Sequence, residues 1–213
     1  MTATAATVAA GCPRCAAPLA SPIACNACGA LLTVPAGTDH FALLGVPRAF
    51  NVDLTALERA HLKASRLVHP DYFGGKPKEE QAQAMRLTAL LNDAYQTVRE
   101  PVRRAEYLLR LLGGKTASAD RTTPPCFLAE MLELREETDD PALPAARKSD
   151  LLRDVNSRIE ALLAQLPPLF EKALPASLSQ RAGFLQALRS ALNSYYYLET
   201  LRENLSGQKR LRR

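Results

Sequence analysis

Val68-His69-Pro70-Asp71-Tyr72-Phe73 is the stretch that decides how this chain of 213 residues is read. Pro70 disfavours helical geometry at His69 and has no N–H to donate, so a helix arriving from upstream must stop here. Asp71 is a good turn residue, and Gly74 and Gly75 keep the loop open beyond it. The expected product is a stiff corner that presents an imidazole and a carboxylate side by side to solvent. A simple turn would explain any Pro-Asp pair; the flanking segments give this one more weight.

Upstream, the sequence predicts a helix beginning near Asp53 or Thr55, where Thr55 and Glu58 have capping-box spacing. Leu54, Leu57, Ala64, Leu67 and Val68 share one broad apolar face, with His61 at its margin. Arg59, Lys63 and Arg66 recur on another face. Such a strip is usually a solvated surface, but this one runs directly into the corner. Earlier still, Asp39 should cap a short helix that Gly45 and Pro47 stop. Phe41, Leu44 and Val46 would point inward, with His40 on the surface. Downstream, Pro77 opens a third helix, with Glu79 and Glu80 near its positive end. Ala84, Leu87, Leu91, Ala94 and Val98 form the seam of two antiparallel helices, flanked by Tyr95. A fourth helix runs from Pro101 to Leu112 and ends at Gly113-Gly114.

Four of the five cysteines cluster as Cys12-x-x-Cys15 and Cys25-x-x-Cys28. Each pair can grip one edge of a tetrahedron, and two such knuckles make a closed four-thiolate site that suits structural Zn²⁺. Pro13 and Gly29 fit the knuckle turns. With every position filled by sulfur, none is left for an activated water. So short a segment has little core, and metal binding would supply most of its folding free energy. Rubredoxin-like iron, disulfides and a free redox pair are the alternatives; a reducing cytosol disfavours disulfides, and two pairs this close argue for metal. Cys126, beside Pro124 and Pro125, is expected to be an ordinary small buried residue. Pro35 and Gly37 mark a boundary, placing a metal-binding module at 1–37.

Composition narrows the classes. Hydrophobic residues make up 47% and charged residues 23%, ordinary for a soluble globular protein, and the Leu- and Ala-rich, Trp-free content favours helix. No apolar run reaches the ~20 residues of a membrane span. Met1–Ala10 has neither the basic start of a secretory signal nor the arginines of a transit peptide. The expectation is a cytoplasmic protein, most simply a bacterial one. The net charge of +5 owes part to a tail at 207–213 carrying Lys209, Arg210, Arg212 and Arg213. Nucleic-acid binding finds little support: Arg14 is the one basic residue of the cysteine module, and no aromatics interleave with the basic residues. An enzyme finds less, since there is no Gly-rich phosphate loop and no nucleophile–base set; no catalytic residue is assigned.

Beyond Pro125 an acidic helix is expected over Cys126–Glu137, with Leu128 and Leu132 one turn apart and Glu133, Glu136 and Glu137 beside them. It reads either as a core stripe with a solvated acidic face or as a partner site with an apolar centre and an acidic rim. Asp139-Asp140-Pro141 ends it. A long helix from about Ala145 carries Leu151, Leu152, Val155, Ile159, Leu162, Leu163 and Leu166, and Pro167-Pro168 should kink or stop it. A last helix from Ser177 carries Phe184, Leu185, Leu188, Leu192, Tyr195, Leu198 and Leu201. Tyr195-Tyr196-Tyr197 cannot all face one core, so at least one is a candidate contact.

A short helix, a basic helix, His-Pro-Asp and an antiparallel helix together resemble a J domain. Asn92-Asp93-Ala94-Tyr95, Arg99-Glu100-Pro101 and Arg104-Ala105-Glu106-Tyr107-Leu108-Leu109 narrow the resemblance to the HscB-type iron–sulfur cluster co-chaperones, over about residues 39–205. It implies a mainly α chain with a J domain at 38–114 and a three-helix bundle at 115–206. Arg59, Lys63, Arg66, His69, Pro70 and Asp71 would face the ATPase domain of an HscA/DnaK-type chaperone. Leu128, Leu132, Glu133, Glu136, Asp140 and Tyr197 map to positions facing an IscU-type scaffold. Ala129 stands where relatives carry a larger apolar residue, implying a shallower patch. Many bacterial relatives lack the cysteine module, whereas several eukaryotic ones carry two CxxC pairs. A general J protein that binds unfolded clients and a zinc-containing nucleic-acid-binding protein remain the alternatives.

Overall fold

The structure, a computed structural model, describes residues 11–207. Met1–Ala10 and the tail residues Lys209, Arg210, Arg212 and Arg213 lie outside the described residues. Seven α-helices follow a small cysteine-bearing segment: α1 His40–Leu44, α2 Leu54–Val68, α3 Lys78–Arg99, α4 Pro101–Leu111, α5 Pro125–Thr138, α6 Ala145–Ala173 and α7 Leu178–Ser206. Among the described residues the extended pairing is one isolated antiparallel bridge, Ala24 with Leu31. The chain divides between Arg104 and Ala105 into two compact units.

In the first unit, α2 and α3 form an antiparallel hairpin. Thr88 reaches the end of α2 at Val68, while Asn92 reaches back to His61. The seam Ala84, Leu87, Leu91, Ala94 and Val98 is buried along its whole length, facing Leu57 and Val68. The helix starts obey local chemistry. Asp39 Oδ1 accepts from Ala42 N at 2.9 Å and caps α1, while its other oxygen takes Arg48. Gly45 ends α1 in the left-handed region, at φ 69°. Asp53, not Thr55, caps α2, accepting from the backbones of Thr55 and Ala56. With helix beginning at Leu54, Thr55 is already inside it and its capping box does not form. Three further expectations change. Leu54, in the first turn, is 52% exposed rather than core. Val46 is half-buried. His40 is also half-buried, 3.7 Å from Asp93 on α3. Where α3 passes into α4, Arg104 donates to the carbonyls of Val98 and Arg99 and lies over the Phe50 ring.

In the second unit, α6 and α7 form a long hairpin. Its core holds Leu151, Val155, Ile159, Leu166 and Phe170 of α6 and Leu188, Leu192, Tyr195, Leu198 and Leu201 of α7. A capping box of Ser177 and Gln180 starts α7. Of the two outcomes expected at Pro167-Pro168, a kink or a stop, the stop does not occur: α6 runs through both prolines to Ala173. Their missing N–H groups orphan carbonyls one turn earlier, but Leu166, Phe170 and Ala173 are buried on either side, and that burial keeps the helix on its track. Met131 is the residue α5 buries fully. Cys126, expected in the core, is exposed, because the face of α5 that packs inward runs through Met131. Arg189 of α7, 1% exposed, makes a bidentate pair with Glu106 of α4 at 2.8 Å and also donates to Asn193. At the end of α4, a Cβ on Gly114 would lie 2.4 Å from the Leu109 side chain, so only glycine lets the chain turn this closely.

Candidate functional site

Two equivalent knuckles build the cysteine cluster. In one, Ala16 N donates to Cys12 O and Cys12 N to Ala17 O; in the other, Gly29 N donates to Cys25 O and Cys25 N to Ala30 O. Each also aims an N–H at its leading sulfur, Arg14 N at Cys12 and Ala27 N at Cys25, both at 3.4 Å. Ala16 and Gly29 occupy matching left-handed positions, at φ 58° and 69°. All four Sγ atoms lie within 4.8 Å of one another. Cys12–Cys28 and Cys15–Cys25 stand 3.7 Å apart. A tetrahedron with metal–sulfur bonds of about 2.3 Å has edges of about 3.8 Å, so the cluster has the size that such an ion requires. Backbone N–H groups of Cys28 and Ala27, directed at Cys25, bring its thiol down to about 7. At Cys15 the Ala17 backbone pulls the other way from the surrounding thiols and burial, which together push its thiol up to about 12, so the thiolate is favoured at Cys25 and not at every sulfur. Ile23 and Ala24 are fully buried, and Gln83 of α3 donates to Leu32 O at 3.3 Å, tying the cluster's second strand to the helical hairpin.

The corner is built from behind. His69 ends α2 with extended backbone, and Pro70–Phe73 forms a single 3₁₀ turn. His69 Nδ1 accepts from Asp71 N at 3.3 Å and lies 3.5 Å from the Asp71 carboxylate. The two side chains are 51% and 84% exposed. Tyr72 stands edge-on to the imidazole, 6.0 Å away. Phe73 faces inward and is 6% exposed. Thr88 Oγ1 donates to Val68 O at 3.0 Å, and the Gln81 amide donates to Gly74 O and Lys76 O. These three supports were not singled out from the sequence. A threonine inside a helix and an aromatic inside a polar loop were the available hints.

Arg59, Lys63 and Arg66 are all exposed and lie around Leu62, itself 50% exposed. None of the three forms an ion pair among the described residues. His61, at the margin of the strip, stacks on Tyr95 with ring centroids 4.2 Å apart and binds Asn92.

On α5, Leu128 and Leu132 are 44% and 55% exposed. They are therefore not core residues, which removes the core-stripe reading for this pair. Glu133 and Glu136 are exposed beside them and unpaired among the described residues. Their neighbours Glu130 and Glu137 are engaged by Arg158 and Arg147 of α6. Asp140 lies past the helix in the turn, where its carboxylate accepts from Ala142 N at 2.8 Å. Of the three consecutive tyrosines, Tyr195 is buried, Tyr196 is 37% exposed, and Tyr197 is half-buried, edge-on to Phe127 of α5 at 6.2 Å. Burial pushes the Tyr196 hydroxyl well above its ordinary range, helped by nearby Glu106.

No protein-family model matches the chain. Among curated proteins, co-chaperone protein HscB of Proteus mirabilis is 40% identical over 125 residues, which cover 58% of this chain and 72% of the relative. Among solved structures, human co-chaperone protein HscB aligns with a TM-score of 0.75 at 25% identity, over 93% of this chain and 98% of its own. Chaperone HscB from Vibrio cholerae aligns with a TM-score of 0.63 at 28% identity, over 80% of this chain and 96% of its own. Sequence and fold agree, and the chain belongs to the HscB family of co-chaperones.

Proposed function

We propose that this chain is a J-type co-chaperone of iron–sulfur cluster biogenesis, acting as the regulator of another protein's ATPase and not itself an enzyme. The observation that carries the reading is the corner: His69 and Asp71 stand exposed at the end of a strip of unpaired cations. Arg59, Lys63 and Arg66 steer the J domain onto an acidic patch of an HscA/DnaK-type chaperone, raising the on-rate and setting the approach. His69, Pro70 and Asp71 then bias that chaperone's nucleotide site toward hydrolysis, without passing a proton to the nucleotide. Leu128, Leu132, Glu133, Glu136, Asp140 and Tyr197 hold an IscU-type scaffold. One chain carrying both surfaces raises the scaffold's effective concentration at the chaperone. Among the described residues no helix is long and apolar enough to cross a membrane, and the work is assigned to the cytoplasm.

The cysteine cluster is assigned to structural Zn²⁺ held by Cys12, Cys15, Cys25 and Cys28. When bound, the ion would cross-link two short loops whose other buried side chains include Ile23, Ala24 and Leu32. Metal analysis of the purified protein should give one zinc per chain; iron with a rubredoxin-like absorption spectrum would replace this assignment.

The deciding experiment is single-turnover ATPase stimulation with His69→Gln. Stimulation should fall to the chaperone's basal rate while scaffold binding stays at the wild-type level. Undiminished stimulation would sink the J-domain role, and equal loss of both activities would indicate a folding defect instead.

A further inference from the structure

Between α5, α7 and the loop before α5 lies an open cavity of about 590 Å³. Well-packed interiors leave few voids larger than a water molecule, so this groove is a surface feature with room for several side chains. Leu201 is buried at its base, the rings of Tyr196 and Tyr197 and the side chain of Leu128 form walls, and Thr200 lies along α7. Leu128 and Tyr197 also belong to the face assigned above to the scaffold, so the cavity continues that face inward.

Its charge is opposite to that of the outer face. Glu133 and Glu136 look out from α5, whereas Arg121 lines the cavity and is unpaired among the described residues. Arg121 is also held in place. The residues on either side of it, Asp120 and Thr122, each give a carbonyl to Asn193 Nδ2, at 3.0 and 2.9 Å. Thr122 N donates to the Asp120 carboxylate at 2.9 Å. Asn193 is itself bound by Arg189, whose buried pair with Glu106 fixes that arm. The backbone that carries this cation is pinned at both flanks before any partner arrives, so binding has to order the Arg121 side chain and not the loop, which lowers the entropic cost.

We propose that the scaffold protein inserts one apolar side chain into this cavity and sets a carboxylate from the same segment against Arg121, while its cations meet Glu133 and Glu136. The occupant is thus an acidic–apolar segment of a protein. A small amphipathic anion would fill the cavity and leave Leu132 and Glu133 bare. This deepens the scaffold reading and rests on it.

The test is titration of the full chain with purified IscU-type scaffold at low and physiological salt. Thr200→Trp fills the cavity from the α7 side, Arg121→Glu reverses its charge, and Leu132→Ser with Glu133→Lys disables the outer face alone. Every variant lies in the second unit, so far-UV circular dichroism and a cooperative urea transition serve as the folding check, and each variant should keep the wild-type helical signal. Thr200→Trp and Arg121→Glu should each weaken scaffold binding at least tenfold, and Arg121→Gln should flatten its salt dependence. If Leu132→Ser with Glu133→Lys weakens binding tenfold while Thr200→Trp does not, the cavity proposal fails and the outer face stands. If Arg121→Glu alone weakens binding, the cavity proposal also fails, because charge acts there without occupancy. If none of the variants changes binding, the scaffold reading itself falls.

Discussion

The His69-Pro70-Asp71 corner and the exposed face of α5 both offer side chains to solvent, but on unlike supports. The corner rests on a buried aromatic, Phe73, and on hydrogen bonds from α3 to its backbone at Val68, Gly74 and Lys76. Among the described side chains, the α5 face rests on one that is fully buried, Met131, and on ion pairs at its margins, Glu130–Arg158 and Glu137–Arg147. The difference suits the roles proposed for the two surfaces. A group that biases another protein's active site needs fixed geometry, since small misplacements cost much of the effect. A surface that recognises by shape and charge can tolerate a softer support. The same ion pairs also divide the acidic residues of α5. Glu130 and Glu137 are spent on α6, so the charge left for a partner is smaller than the sequence of this helix suggests.

The largest effect should come from removing the corner's anchor. Phe73→Ala should cost about 3–5 kcal/mol of stability, measured by urea unfolding. It should lower ATPase stimulation even though His69 and Asp71 remain. Thr88→Val removes one hydrogen bond and leaves the Val68 carbonyl short of its donor, a cost of about 1 kcal/mol. The matching change on the other surface, Arg158→Ala, breaks exposed pairs and should cost less than about 1 kcal/mol. Equal costs for Phe73→Ala and Arg158→Ala would break the contrast between the two supports.

The two surfaces also differ in how legible they are in the sequence. The corner is readable because a proline followed by turn residues and two glycines disfavours the helix, and the seam from Ala84 to Val98 has a clear period. Its supports were not, because Gln81 and Thr88 act on backbone carbonyls that no side-chain pattern marks. On α5, Leu128 and Leu132 have the spacing of a core stripe as much as of a contact patch, and only their exposure separates the two. Cys126 failed for the same reason: on a short helix with one buried residue, the inward direction is not fixed by period. Pro167-Pro168 failed differently. The local rule was correct about missing donors, but burial along α6 outweighed it. The four cysteines needed no period, since the paired CxxC spacing by itself points to a cluster, and their Sγ atoms do lie within 4.8 Å of one another. The Arg189–Glu106 pair, separated by 83 positions, left no trace in any local window.

The smallest effect, and the one specific to the second unit, lies in acid. The hydrogen bond and charge of Arg147 hold the Glu137 carboxyl below the usual range, and backbone and side-chain donors of Thr122 do the same for Asp120. A carboxyl whose folded-state value is depressed adds stability above its unfolded value and loses it as pH falls through the folded one. The support of α5 and of the Arg121 loop should therefore weaken below the ordinary carboxylate range, while remaining unchanged between neutral pH and about pH 5. Glu137 is half-buried and still reached by water, which screens its pair with Arg147, so its share is small. Arg147→Gln removes the Glu137 part alone. The gap between urea midpoints at pH 7 and pH 3 should narrow in this variant, because its Glu137 then titrates alike in the folded and unfolded chains. An unchanged gap would mean that the α5–α6 pair does not hold the helix, leaving Met131 and its neighbours on α7 as the support of the recognition face.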